Sequence, residues 1–221
     1  VFQASRADQP ADVTETTLKS LLLPWVERRL RVPIGGERIP LPLSFGHKPL
    51  FATRKGRSIV LLGEVELCNA VARKIAIDVS SSGLRVLWLM GVESKKEELP
   101  VSLVTVARSG WRHKIQGKNE AVKWLAAGAK MFGGVSAEML VLDGAEMGKL
   151  PEYAGRPLEV VAAEVVYNAG RAMVSTGGAV VATVATELED VRLSPSTQQL
   201  RAFNECYLVR EIAGEYVLEA V

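Results

Sequence analysis

Cysteine and histidine are scarce in this sequence, with two of each. Cys68 and Cys206 lie far apart and share no metal-ligand spacing, which excludes a disulfide-stapled scaffold or a thiolate metal centre. Two reduced thiols in the cytoplasm, or in another reducing intracellular compartment, is the reading that follows. His113 has no second ligand near it in sequence, and no serine, cysteine or metal catalytic constellation is readable. No apolar run approaches the roughly 20 residues that span a bilayer, so no membrane helix is expected. Charge of one sign is missing as well: the formal net charge is +2 and the isoelectric point about 8.6, so nothing global marks a polyanion or membrane surface as partner. There is no internal repeat and no low-complexity tract. The sequence opens at Val1 rather than at methionine, which admits a longer parent chain and a removed targeting segment.

What is present suits one globular domain with a large core and a modest extension. The chain has 221 residues, 48% of them hydrophobic and 24% charged. Residues 1–55 carry Pro24, Pro33, Pro40, Pro42 and Pro49 with Gly35-Gly36, a density that breaks helices and sheet ladders alike. Only Leu18–Leu30 has helical spacing, interrupted at Pro24. An N-terminal arm or linker is expected here, packing on the core or on a neighbouring subunit. Residues 56–221 follow another grammar. Short β-branched or apolar runs at Ser58–Leu62, Arg85–Met90, Val101–Ala107, Met139–Leu142 and Ala179–Val184 read as buried strands. Asn69–Ser81, Lys118–Phe132 and Leu158–Val174 have apolar residues at helical spacing. Cys206–Arg210 and Tyr216–Glu219 close the chain as a hairpin around Gly214. Strands alternating with helices predict an α/β fold in three layers, with a mostly parallel sheet covered on both faces. Chemistry is then expected just after Leu62, Met90, Leu142 and Val184, at the carboxyl ends of the strands.

After the first of those strands the sequence reads Gly63-Glu64-Val65-Glu66-Leu67-Cys68-Asn69-Ala70. In position this resembles a Walker A phosphate loop, GxxxxGK[ST], of which only Gly63 survives. Cys68 stands for the second glycine, Asn69 for the lysine and Ala70 for the hydroxyl residue. The glycine lets backbone amides wrap phosphate, the lysine neutralises the β/γ charge and the hydroxyl holds magnesium. Loss of the lysine contact alone, worth roughly 1.5–3 kcal/mol, costs tenfold to a hundredfold in affinity. Glu64 and Glu66 add carboxylates where a triphosphate would sit. Cys68 at a helix N-terminus could be a low-pKa thiol, but a buried small residue is the plainer reading.

Two further segments occupy the expected places. Glu138–Asp143 is an apolar strand ending in a carboxylate, the form of a Walker B strand, although Asp also ends many buried strands as a turn former. Val86–Met90 is an apolar strand followed, after Gly91-Val92, by Glu93-Ser94 and then by Lys95-Lys96-Glu97-Glu98-Leu99. With all three in order, the chain from about Gly56 to Val221 resembles the RecA-like P-loop NTPases, in particular the DnaB-type helicase and KaiC-type core. That resemblance implies a RecA-like core with a closing C-terminal hairpin. It implies that Glu93 is the water-activating position, that Asp143 orders magnesium, and that Thr186 lies nearest a phosphate sensor. It also makes Arg210 an arginine-finger candidate, with an exposed strand arginine as the alternative.

The two loops that would face a central channel, Gly144–Arg156 and Glu187–Leu200, are too acidic for a strand-binding funnel. A better nucleic-acid or partner candidate is the run Arg108, Trp111, Arg112, Lys114 and Lys118, whose plain alternative is a solvated loop with one tucked tryptophan. The expectation is therefore a catalytically inactive or weak RecA-family paralogue, a pseudo-ATPase. It would serve as a structural or regulatory subunit of a DNA replication, recombination or repair assembly. Its partners would be proteins in a homo- or hetero-oligomer, with nucleic acid as a further candidate and no membrane. No cofactor is required, and ATP with magnesium would be held weakly. The alternatives are a nucleotide-binding switch and an active RecA-type ATPase with an unconventional phosphate loop.

Overall fold

A computed structural model describes residues 37–90, 100, 103–106, 132, 134–145, 158–186, 198, 200–202 and 204–221. The chain divides into Val1–Ile34 and Gly35–Val221, and every described residue belongs to the second unit. The expected helix at Lys118–Phe132 lies outside the described residues except for Phe132, as does the expected helix at Leu18–Leu30.

The centre is β3 (Ile59–Gly63), flanked on one side by β7 (Ala179–Ala185) and on the other by β8 (Glu205–Ile212), both parallel to it. Beyond β7 come β6 (Met139–Leu142), β4 (Val86–Leu89) and β5 (Leu103–Val106), again parallel. Beyond β8 comes β9 (Glu215–Ala220), antiparallel to it. The β8–β9 turn is a two-residue connection with Ala213 and Gly214 both at positive φ, 53° and 82°. That is the type I′ geometry that suits strand twist, with alanine strained in the first position.

Every central strand is apolar on both faces because two helices cover it. The first, α1 (Val65–Ser81), buries Cys68, Val71, Ala72, Ile75, Ala76 and Val79 along one stripe. Val71, Ala72, Ile75, Ala76 and Val79 join Ile59, Leu61, Val86, Trp88, Met139, Val141 and Val181 in one core. The second helix, α2 (Leu158–Thr176), packs Val161, Ala162, Val165, Ala169 and Met173 against Val60, Leu62, Leu87, Leu140, Leu142 and Val180 in the other. The period-two division of neighbouring strand residues between the cores is the signature of a doubly covered parallel sheet. The end of α2 is a Schellman cap: the Gly177 amide donates to the Val174 carbonyl at 3.3 Å and the Gly178 amide to Met173 at 3.0 Å. Gly177 takes φ +82°, the left-handed turn such a cap requires.

The proline-rich segment departs from expectation. The sheet begins at Arg38, not after Gly56: β1 (Arg38–Phe45) and β2 (Lys48–Thr53) form a hairpin of the same nine-stranded sheet. Ile39, Leu41 and Leu43 alternate inward onto the α1 core, while Arg38, Pro40 and Ser44 face out and Pro42 is half-buried. The prolines still mark the ladder. The β1–β2 register shifts between Pro40 and Ser44, and β1 joins β9 only at Ser44–Val217. A ring nitrogen cannot donate, so prolines on alternate positions permit a strand that pairs weakly along one edge.

Candidate functional site

The carboxyl edge of the sheet holds the ends of β3, β4, β6 and β7. The expected phosphate loop is replaced there by helix. Only Glu64 lies between β3 and α1, extended at φ −63°, ψ 152°, with no side-chain cap. The Cys68 amide already donates to the Glu64 carbonyl at 2.8 Å, so Val65–Ala70 forms the first turns of α1 instead of a ring of free amides around an anion. The sequence expectation began this helix at Asn69. Cys68 continues the buried stripe of Val71 and Ala72 backwards, and that is the signal which, followed past the motif template, finds the true start. The Cys68 thiol is buried and donates to the Val184 carbonyl at 3.6 Å. Gly63 has a different role from wrapping phosphate. A Cβ there would lie 3.3 Å from the Val209 carbonyl oxygen, so glycine permits β8 to approach.

Glu64 and Glu66 are exposed at the positive end of the α1 dipole, where they stabilise the helix and oppose an incoming anion. Asn69 is half-buried and Ala70 exposed. Thr186 follows β7, and its amide donates to the Gly63 carbonyl at 2.9 Å. Asp143 follows β6 and is 2% exposed; its amide donates to the Leu89 carbonyl at 2.9 Å, and its Oδ1 accepts the Thr183 hydroxyl at 2.9 Å. Thr183 itself is fully buried and accepts the Gly144 amide at 3.0 Å. Arg210 lies on β8 just past Val209, with Nε 3.3 Å from the Glu219 carboxylate on β9. The fold thus brings Gly63, Cys68, Asn69, Ala70, Asp143 and Thr186 to one edge. Glu93, Arg108, Trp111, Arg112, Lys114 and Lys118 lie outside the described residues. Sequence reasoning overlooked Thr183, whose only signal was a hydroxyl residue in an otherwise apolar strand.

Whether these residues suit a magnesium nucleotide is decided by the same contacts. The cradle of amides is wound into α1, and the carboxylate that would order the metal is buried against Thr183. They do not fit it. Elsewhere, the Cys206 thiol is buried and pushed up to about 12 by desolvation, against the pull of Arg201 and with a smaller push from Glu205, so it is an inert core thiol. Among the described residues no group of three His, Cys, Asp or Glu side chains could hold a metal ion, and no helix is long and apolar enough to cross a membrane.

The element order and the central parallel sheet with its antiparallel closing pair define a RecA-like α/β fold. No protein-family model matches the sequence, and no curated protein matches it either. Solved structures do. A KaiC-like protein from the hyperthermophilic archaeon Pyrococcus horikoshii is similar over 86% of this chain and 89% of its own, with a TM-score of 0.52 and 10% identity. At that identity the likeness is one of fold.

Proposed function

We propose that this protein is a RecA-fold subunit that works without nucleotide turnover, as a structural or regulatory component of a DNA replication, recombination or repair assembly. The observation that carries the reading is the start of α1 at Val65, with only Glu64 between it and the end of β3, which leaves no phosphate loop. The exposed Glu64 and Glu66 support it, and so does Arg210, which is engaged with Glu219 of its own chain instead of extending alone. Calorimetry with ATP, with and without magnesium, together with a phosphate-release assay, tests it. The expected result is no turnover above buffer and a dissociation constant no tighter than about 1 mM, because the charge-assisted contacts that each contribute roughly 1.5–3 kcal/mol are gone. Magnesium-dependent binding in the micromolar range would instead favour the nucleotide-switch alternative.

The assembly half of the proposal rests on the fold and on the basic run Arg108–Lys118. Single-stranded DNA should bind weakly and in a salt-sensitive manner, and an Arg112→Glu/Lys114→Glu variant should lose at least tenfold of that affinity in fluorescence anisotropy. Binding that survives this change and disappears on changing Lys149 and Arg156 would move the interface to the channel-facing loop.

A further inference from the structure

We infer that Asp143 is a structural strut, held by Thr183 and unavailable as a metal ligand; this rests on the reading of the site as one without nucleotide. An apolar strand ending in Asp is equally consistent with either role, and its neighbours decide between them. β6 and β7 run in parallel register with Leu142 beside Ala182, which places Asp143 and Thr183 as the next pair on the α1 side of the sheet. The Thr183 hydroxyl donates to Asp143 Oδ1 at 2.9 Å while accepting the Gly144 amide at 3.0 Å, so one hydroxyl serves both of its functions. Gly144 is buried at φ +73°, a turn conformation whose inward amide requires an acceptor. The Asp143 amide meanwhile bonds Leu89 of β4. Residues 143 and 144 are thus tied to both neighbouring strands, and Asp143 as a residue is 2% exposed. Magnesium in nucleotide sites keeps several waters and takes a carboxylate facing the solvated mouth. A carboxylate pulled into the sheet by a buried hydroxyl does not provide one. Thr183 is the positioning residue, since valine has its shape without the bond.

The test combines melting with a metal titration on the intact chain. Thr183→Val and Asp143→Ala should each lower Tm by about 5 °C or more, and the double variant by clearly less than the sum, as coupled partners do. Thr183→Ser, which keeps the hydroxyl, should recover most of the loss. Wild-type protein titrated with Mn²⁺ up to about 1 mM, followed by the free-ion electron paramagnetic resonance signal, should show no saturable binding, since six-coordinate ions need open oxygen ligands. If Asp143→Ala does not fold, the Val/Ser contrast at Thr183 carries the stability arm alone. Saturable Mn²⁺ binding lost in Asp143→Asn overturns the strut, as does a wild-type Tm in Thr183→Val or strict additivity in the double variant. The two readings fail separately: tight ATP binding in EDTA sinks the missing phosphate loop and leaves the strut, whereas Mn²⁺ binding without ATP sinks the strut alone.

Discussion

Glu138→Ala is expected to destabilise the fold by about 3 kcal/mol, measured by urea denaturation at neutral pH. Glu138 stands at the amino end of β6, at the edge of the sheet opposite the candidate site. Its carboxylate accepts the Arg54 guanidinium at 2.6 Å and the Arg85 amide at 3.0 Å, with the Arg85 guanidinium at 3.4 Å. Arg54 also reaches Glu37 at 2.9 Å, and Arg85 Nε donates to the Ser136 carbonyl at 3.0 Å. The Glu138 side chain is only 16% exposed and its two arginines 21% and 34%, so solvent screens the cluster incompletely. Removing the carboxylate takes from Arg85 its carboxylate contact and leaves Arg54 with the exposed Glu37. Burial by itself would raise the Glu138 pKa. The Arg85 amide and the charges of Arg85 and Arg54 outweigh it and hold the group below the ordinary carboxylate value of 4.5. The sign follows from linkage: with the folded value depressed, the stabilisation is complete above the unfolded value and is lost as pH falls through the folded one. Wild-type stability should therefore drop below about pH 4.5 by a component that Glu138→Gln lacks. Parallel acid titrations of both would show the same slope if the cluster were inert.

Gly178→Val should have an effect at least as large, about 4 kcal/mol, with Gly178→Ala at about 2 kcal/mol. Gly178 closes the cap of α2 and leads directly into β7. A Cβ there would run into the Met173 methyl and meet the carbonyl oxygens of Ala137 and Glu138 at 3.2 Å each. The methionine can swing aside. The two carbonyls belong to the approach of β6, and one of them already accepts the Ala179 amide at 2.9 Å. Gly46 is the control: nothing lies within 4 Å of its Cβ position, so Gly46→Ala carries only the strain of φ +59°, about 1 kcal/mol. Denaturant midpoints for the three variants should fall in that order, and a Gly178→Val protein as stable as Gly46→Ala would refute the close approach.

The central strands and α2 were legible because burial on both faces leaves an unmistakable apolar run. Met139–Leu142 is the observed strand, and Ala179–Val184 falls one residue short of it. The mostly parallel, doubly covered sheet followed from their alternation with helices, and the RecA-like form from the resemblance of the three motif segments. Two things were hidden by local chemistry. Pro40 and Pro42 argued against a strand, and only the inward alternation of Ile39, Leu41 and Leu43 shows that the missing amides fall at outward or half-buried positions. At the site, alignment to a phosphate-loop template delayed the helix to Asn69, although Cys68 fits the buried stripe. Asp143 was recognised as the end of a strand, but its state depends on Thr183 across the sheet, a pairing that a separation of 40 positions conceals.

The position of β3 also constrains the order of assembly during synthesis. It is the first strand of the parallel set to leave the ribosome, yet both of its neighbours, β7 and β8, come from the last quarter of the chain. Until they emerge, Ile59–Leu62 has no ladder to join, and the β1–β2 hairpin lacks its ladder pairing at Val217 and has the α1 face to pack on. Loop closure over such separations is slow, so the nascent chain exposes this apolar strand for most of the synthesis that follows it. Truncation anywhere before β8 should therefore yield aggregate instead of a smaller folded protein, and a circular permutant that begins at β7 should refold faster than the natural order.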